Sequence, residues 1–423
     1  MIEKPKLFLS LKEFLVVVSI FLLLLSVRLS FIYQEYKAFT QKEFYFTHVE
    51  VLQQYKKSKN GKSYTILRVY SQELDLNFFT RTYRDENFLD KALRLKLFPH
   101  KKMTFLGYLG SSFIASKINN VYPKIKNFKS VVLEKIAQQH QDGEIIDFYQ
   151  AIFLATPLSK ELRQQVSILG VSHLIALSGF HLGILWGVLF FLFRALYRLV
   201  QQHYFPYRFD LIDVGFFVLL LLGWYVWFVD TPASLLRSYT MMVMGWGVLI
   251  LGIELLTFSF LVTMIMMLLL LFPKMLLSLA FWFSVLGVFY IFLLVERFRT
   301  LSNPLMMLLI SFGIFVLMLP LVHMIFPITS TLQLYSPFLS LLFIPFYPLS
   351  ILAHLIGQGG VFDGLLLRIF SLESETVEIK LDMMYGVGYL LLSFGAIGSR
   401  WIFYLLFTVA VGFMGWMFIG FML

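Results

Sequence analysis

From Gly170 to Gly183 the chain reads Gly-Val-Ser-His-Leu-Ile-Ala-Leu-Ser-Gly-Phe-His-Leu-Gly, setting two histidines, two serines and three glycines into an otherwise apolar run. Glycine and serine in the middle of a membrane helix loosen it and free backbone N–H and C=O groups. Lipid tolerates such groups only where they line a cavity or meet other protein. Imidazoles at that depth need a partner or water. Two readings stay open. One is a broken helix lining a water-filled passage, with His173, Ser178, Gly179 and His181 facing what passes. The other is a helix–helix contact through small residues, the histidines bonded to neighbouring carbonyls.

The segment Asp230-Thr231-Pro232-Ala233-Ser234-Leu235-Leu236-Arg237 adds a permanent cation about one turn inside the next apolar run, where it demands a carboxylate, a phosphate or a carbonyl. Arg237 is either an anion-binding group of the passage or a side chain that snorkels to the interface or pairs with Asp230. His323, between Pro320 and Pro327, and the run from Ser336-Pro337 to Pro348 mark helices with interior breaks, cavity-lining or simply kinked. Glu254 and Glu296 fall at predicted helix ends and read as solvated. The many Met and Phe residues read as packing or lipid-facing. No cofactor or metal-ligand motif is implied.

These residues need elements to hold them, and composition says which. The chain has 423 residues, 59% apolar and 14% charged, with mean hydropathy +0.78; a soluble protein carries about 25% charged residues. That excludes a soluble enzyme, a coiled coil and a disordered chain. With no cysteine, disulfides, thiolate chemistry and Cys-ligated metals are excluded as well. Leu11 to Tyr33 holds a run of spanning length after Lys4, Lys6 and Lys12, which predicts an uncleaved anchor (residues 1–33) with its N-terminus in the cytoplasm. From residue 171 to 423, the membrane core, apolar runs lie near 171–199, 211–229, 233–252, 256–272, 275–295, 304–326, 334–356, 384–397 and 401–422. With the anchor they give about ten membrane segments. Arg194, Arg198, Arg208, Arg297 and Arg299 fit cytoplasmic loops; Lys274 and Arg400 fit less cleanly.

Residues 34–117 turn β-like: Phe44 to Val51, Ser63 to Tyr70 after the Lys59-Asn60-Gly61-Lys62 turn signal, Leu74 to Tyr83 and Leu93 to Phe98. About five short strands suit a small OB-like barrel, with a sandwich as the alternative. Residues 118–170 predict amphipathic helices at the membrane surface: Ile118 to Gln141, Glu144 to Leu154, and a third with Ser159 as N-cap. A further surface helix is expected over 365–380. The fold class expected is thus a polytopic α-helical membrane protein with an N-terminal extramembrane OB-like domain.

Charge is concentrated. The net formal charge is +10, and residues 34–130 hold eighteen Lys and Arg against eight Asp and Glu, while the rest of the chain carries seventeen of each. The whole excess belongs to one extramembrane segment, the β-rich part and the helix expected after it. Lys56, Lys57, Lys59, Lys62, Arg68, Arg81, Arg84, Lys101 and Lys102, interleaved with Tyr and Phe, are candidate contacts for a polyanion. Attraction to anionic lipid is the plainer alternative.

The segment SHLIALSGFHLGIL, then PASLLR, then LLSLAFWFSVLGV resembles the core of the ComEC family of competence proteins, which move DNA through the bacterial cytoplasmic membrane. His173, Ser178, Gly179 and His181 match the family's opening motif. Pro232 and Arg237 match its later proline–arginine element, and Ser278, Phe281 and Ser284 compare with a third. A polar Asn often found in the family's proline-containing late span corresponds here to Ser340. The resemblance implies the short form, without the C-terminal metallo-β-lactamase-like domain.

Charge and resemblance together lead to the expectation of a passage for single-stranded DNA across the inner membrane, the basic domain facing outward. His173, Ser178, Gly179, His181, Arg237, Ser284 and His323 are expected along it, with no catalytic residue and no cofactor. The sequence shows no G-x-x-x-x-G-K-[ST] loop, so a separate DNA receptor, nuclease and ATP-driven motor are expected partners beside membrane lipid. The alternatives are a small-anion transporter built on Arg237 and an intramembrane hydrolase in which His181 or His173 activates Ser178.

Overall fold

The computed structural model describes residues 7–59, 62–89, 91–99, 103–123, 128–252, 254 and 257–419. Two compact units arise, one from residues 8–128 with 262–281, the other chiefly from 129–261 with 282–423.

The first unit opens with α1 (Leu11–Gln41), whose N-cap Ser10 accepts the Glu13 N–H. Its 31 residues make a rod of about 46 Å, longer than the ~30 Å hydrocarbon core. The anchor expected to end at Tyr33 therefore runs on, and its last turns pack on a sheet: Phe39 stacks on Tyr45 at 4.9 Å and the Tyr36 hydroxyl donates to Met103 O at 2.5 Å.

The sheet holds β1 (Tyr45–Lys59), β2 (Lys62–Ser71), β3 (Leu76–Thr82), β4 (Lys91–Phe98), β5 (Ser112–Phe113) and β6 (Ala115–Pro123) in the order β5-β3-β2-β1-β4-β6, with the short α2 (Phe105–Leu109) before β5. β5 runs parallel to β3 and the other pairs are antiparallel. Only Ile114 separates β5 from β6, and its N–H bonds Phe79 O. One chain segment thus pairs with β3 at its start and β4 thereafter. Alternation decides the faces: Val49, Leu67, Phe78, Leu93 and Leu95 point into a core shared with Ile32 and Phe39 of α1. Each such side chain contributes about 1.5–3 kcal/mol by leaving water. The β1–β2 register closes on the pair Lys59↔Lys62; Asn60 and Gly61, the predicted turn, lie outside the described residues. Lys274 pairs with Asp75 in the β2–β3 turn at 2.5 Å, which gives that cation a partner on the sheet.

The second unit is helical: α3 (Phe128–Ala137), α4 (Gly143–Leu154), α5 (Lys160–Ile168), α6 (Ser172–Ile175), α7 (Gly179–Tyr204), α8 (Asp210–Phe228), α9 (Ala233–Ile250), α10 (Phe258–Leu271), α11 (Leu279–Arg297), α12 (Asn303–His323), α13 (Ser336–Leu355), α14 (Asp363–Phe370), α15 (Met383–Gly398) and α16 (Arg400–Ile419), with β7 (Ile328–Ser330) paired to β8 (Thr376–Glu378); α10 and α11 straddle the two units. Among the described residues seven helices are long and apolar enough to span a bilayer: α1, α7, α8, α11, α12, α13 with its 3₁₀ lead-in, and α16. Ten segments were expected. The 14 and 16 residues of α10 and α15 reach only about 21 and 24 Å, and the 18-residue α9 carries Arg237 and several hydroxyls.

Three more expectations change. Ile118–Pro123 is strand, not the start of an amphipathic helix, because it continues β6 in antiparallel register with β4. α4 is no surface helix: Ile145, Phe148, Tyr149, Ile152 and Leu154 are buried in the main helical core, and Asp142 caps it by accepting the Glu144 and Ile145 N–H groups. The helix expected over 365–380 stops at Phe370 and gives way to β8.

Candidate functional site

The Gly170–Gly183 stretch breaks as its glycines and serines suggest. Gly170 takes φ +68°, α6 lasts one turn, the chain runs on through Ala176 and Leu177, and α7 begins at Gly179. The new start is a capping box. Ser178 Oγ accepts the Phe180 N–H at 3.4 Å, while His181 Nδ1 accepts the Ser178 N–H at 3.3 Å. That bond leaves the neutral imidazole's proton on Nε2. His181 is fully buried, its ring perpendicular to Tyr347 at 4.8 Å and steeply inclined to Phe343 at 5.1 Å. Its Nε2 has no hydrogen-bond partner among the described residues.

Two helix starts hold the break in place. From α9, Ser234 Oγ donates to Leu177 O at 2.8 Å. A Cβ on Gly179 would stand 2.6 Å from Ser238 Oγ and 2.9 Å from Ser238 Cβ, so glycine is what lets the two backbones approach. Arg237 lies on the same stretch of α9, one position before Ser238, and is 7% exposed. From α13, Ser336 Oγ donates to Gly170 O at 3.0 Å, and Ser340 Oγ, which donates to Ser336 O, stands 3.3 Å from His173 Nε2. Ser340 has spent its one proton, so His173 donates this bond.

His173, Ser178, Gly179 and His181 thus share one locus, and Arg237 stands on the stretch of α9 that packs against it. Ser234, Ser238 and Ser336 join it without having been expected; their spacing of four, and Ser336's spacing from Ser340, was the available signal. His323 and Ser284 do not join it by any described bond. His323 is buried at the end of α12, bonded to Leu319 O and Thr329 Oγ1 at 3.0 Å each, and Ser284 is exposed on α11. Asp230 pairs with Lys129 at 2.7 Å, so that cation holds the α8–α9 turn.

On the β unit the expected basic residues are spread out. Lys56 pairs with Asp85 at 2.6 Å, both exposed. Lys57 lies over Tyr55 at 5.7 Å and Arg81 over Tyr83 at 5.6 Å. Arg84 is exposed and Arg68 half-buried. Lys101 and Lys102, and the side chains of Lys59 and Lys62, lie outside the described residues. A denser group sits on the outward face of β1 and β4. The Lys96 ammonium is 3.9 Å from the Phe44 ring centre, 5.7 Å from Phe46 and 5.5 Å from Phe98, with Arg94 5.5 Å from Phe46. All three rings are exposed. Alternation along β4 could have found Arg94, Lys96 and Phe98. Beside this group His48 Nδ1 meets Glu73 at 2.9 Å, and the bonds from His48 and then Thr47 hold the Glu73 carboxyl below its ordinary range.

The two units together define a multi-pass membrane protein carrying a basic, aromatic-faced sheet and a bundle with a serine-pinned helix break. A family model described as Competence protein matches residues 155–422, and the chain belongs to that family. Membership gives it a role in DNA uptake in competence. No curated protein and no solved structure matches the chain.

Proposed function

We propose that the chain conducts single-stranded DNA across the bacterial cytoplasmic membrane during natural transformation. The observation that carries this reading is the break at residues 170–179, pinned by α9 and α13 beside the buried Arg237, inside the family-matched segment. A cation buried inside a bundle, next to a break whose backbone groups are held by serines and an imidazole, suits the passage of an anion.

The β unit is the proposed collector. Its connectivity supports an OB-type barrel: a β1-β2-β3 meander, β4 antiparallel to β1, and a last segment pairing with both β3 and β4. The Phe44, Phe46, Phe98, Lys96 and Arg94 group offers π-faces for bases and cations for phosphates. With positive-inside counting, the Arg194, Arg198 and Arg208 end of α7–α8 faces the cytoplasm and the break faces outward. A separate receptor, nuclease and motor complete the route.

A hydrolase is the weaker reading. Ser178 Oγ is 3.4 Å from His181 Nδ1, yet no described carboxylate orients that imidazole. The test is transformation of a strain lacking the chain, complemented with wild type or Arg237→Gln, scoring protected periplasmic DNA apart from cytoplasmic DNA. Arrest at the second step alone is expected. Loss of the periplasmic pool, or full uptake without the chain, overturns the proposal.

A further inference from the structure

A second polar cluster lies at the other end of α13. His140 belongs to the elbow between α3 and α4, His354 to the last turn of α13 and Asp363 to the start of α14. His140 Nδ1 stands 3.0 and 2.9 Å from the two Asp363 oxygens, and its Nε2 stands 2.9 Å from His354 Nε2. His354 Nδ1 lies 2.7 Å from Ser350 O.

Hydrogen-bond accounting fixes what this arrangement holds. A carbonyl only accepts, so His354 carries its proton on Nδ1 and, when neutral, presents a lone pair at Nε2. An ionised Asp363 also only accepts, so His140 carries a proton on Nδ1. With no further proton, two lone pairs would face each other at 2.9 Å. One more cation must sit between them. A tetrahedral metal with nitrogens at about 2.0 Å would hold them about 3.3 Å apart, and the described residues contain no group of three His, Asp or Glu able to bind one. The observed spacing is that of N–H···N.

The surroundings suit a single held charge. Tyr149 of α4 stacks on His140 at 4.6 Å and meets His354 edge-on at 4.5 Å. Burial, and then the Asp363 charge, raise the Tyr149 hydroxyl well above the usual phenol range, so it stays neutral. Asp142 in the elbow is committed to capping α4; Lys135 of α3 and Arg368 of α14 are exposed. Gln139 closes the site, donating to His354 O at 3.2 Å and accepting the Gly359 N–H at 2.7 Å.

We propose that Asp363, His140 and His354 form a proton-binding latch, in which one excess proton shared by the two imidazoles and countered by Asp363 fastens the α3–α4 elbow to the end of α13. Releasing that proton to solvent, with Asp363 still ionised, sets lone pair against lone pair and opens the contact. The same helix carries Ser336 and Ser340 to the broken-helix locus about 27 Å away, so the latch fixes the far end of the element that pins the break.

The test is hydrogen exchange on the full chain in detergent between pH 5 and 9, each rate normalised to its intrinsic value. Amides of 138–145 and 354–363 are expected to be protected at low pH and to lose protection in a one-proton transition, while α7 amides do not change. Asp363→Asn offers an amide N–H to His140 Nδ1, so that a neutral His140 donates from Nε2 to His354 without the excess proton, and the transition is expected to disappear with protection kept at high pH. Absence of a transition in wild type, a transition that persists in Asp363→Asn, or a stoichiometric metal whose chelation abolishes protection at constant pH would each overturn the latch.

Discussion

Replacing Gly179 with alanine places a methyl 2.6 Å from Ser238 Oγ and 2.9 Å from Ser238 Cβ, where ordinary contact starts near 3.4 Å. Both partners sit on helix starts, so a shortfall of about 0.8 Å is met by moving backbone or leaving a rotamer well, at a cost of about 1–3 kcal/mol. Alanine itself is favoured over glycine in a helix by up to about 1 kcal/mol, which offsets part of that. The sharp quantity is therefore a coupling. Gly179→Ala should destabilise the wild-type chain, and the same change should be neutral or stabilising when Ser238→Gly has removed the opposing Cβ and hydroxyl. The cycle is read as four melting midpoints in one detergent and as four transformation frequencies, with a coupling of about 1–3 kcal/mol expected between the sites. If Gly179→Ala harms both backgrounds equally, close approach to α9 is not why glycine stands there.

Lys96→Ala should lower the affinity of the full chain for a short single-stranded oligonucleotide and reduce the salt slope by about one unit, while Phe46→Ala should cost about 1–3 kcal/mol of binding with an unchanged slope; equal effects of both changes on binding to an anionic-lipid vesicle would refute the site. Asp142→Ala removes the cap on α4 and should cost about 0.5–2 kcal/mol in thermal stability, whereas an exposed residue of the same elbow such as Gln138 changed to Ala should cost far less. His181→Gln should abolish cytoplasmic DNA delivery, leaving small-anion flux unchanged if the conduit reading is right and altering it if the chain is an anion transporter.

Local pattern made much of this molecule legible. The strands announced themselves by alternation, and Ser159, predicted as a cap, does precede α5, although its side chain makes no capping bond. The helix break could be read from Gly, Ser and His falling inside one apolar run. Ile118–Pro123 misled because its lysine-rich continuation suggested a helical face, whereas its partners on β4 lie 23 to 32 positions back. α4 misled because it lacks the unbroken apolar length of a span, while burial inside the bundle is a property of its neighbours. The histidine pair was invisible for a related reason: His140 and His354 are 214 positions apart, and no spacing in the sequence relates them. Among the described residues seven helices, rather than ten segments, are long and apolar enough to span, because α10 and α15 are short and α9 carries Arg237 and hydroxyls, which the apolar runs alone do not report.

The turn between α8 and α9 places Asp230 at φ 66° and Thr231 at φ 47°, a left-handed pair that costs a non-glycine chain of order 1–3 kcal/mol per residue. Lys129 secures it, bonding Asp230 Oδ2 at 2.7 Å and reaching Val229 O at 3.4 Å. Lys129 precedes Asp230 by 101 positions, and synthesis runs from the N-terminus. The cation is already out of the ribosome when the turn is made, so the difficult corner is born with its clasp in existence. A chain rearranged to put α3 after α9 would reverse that order, leaving the left-handed pair to wait for its lysine during membrane insertion.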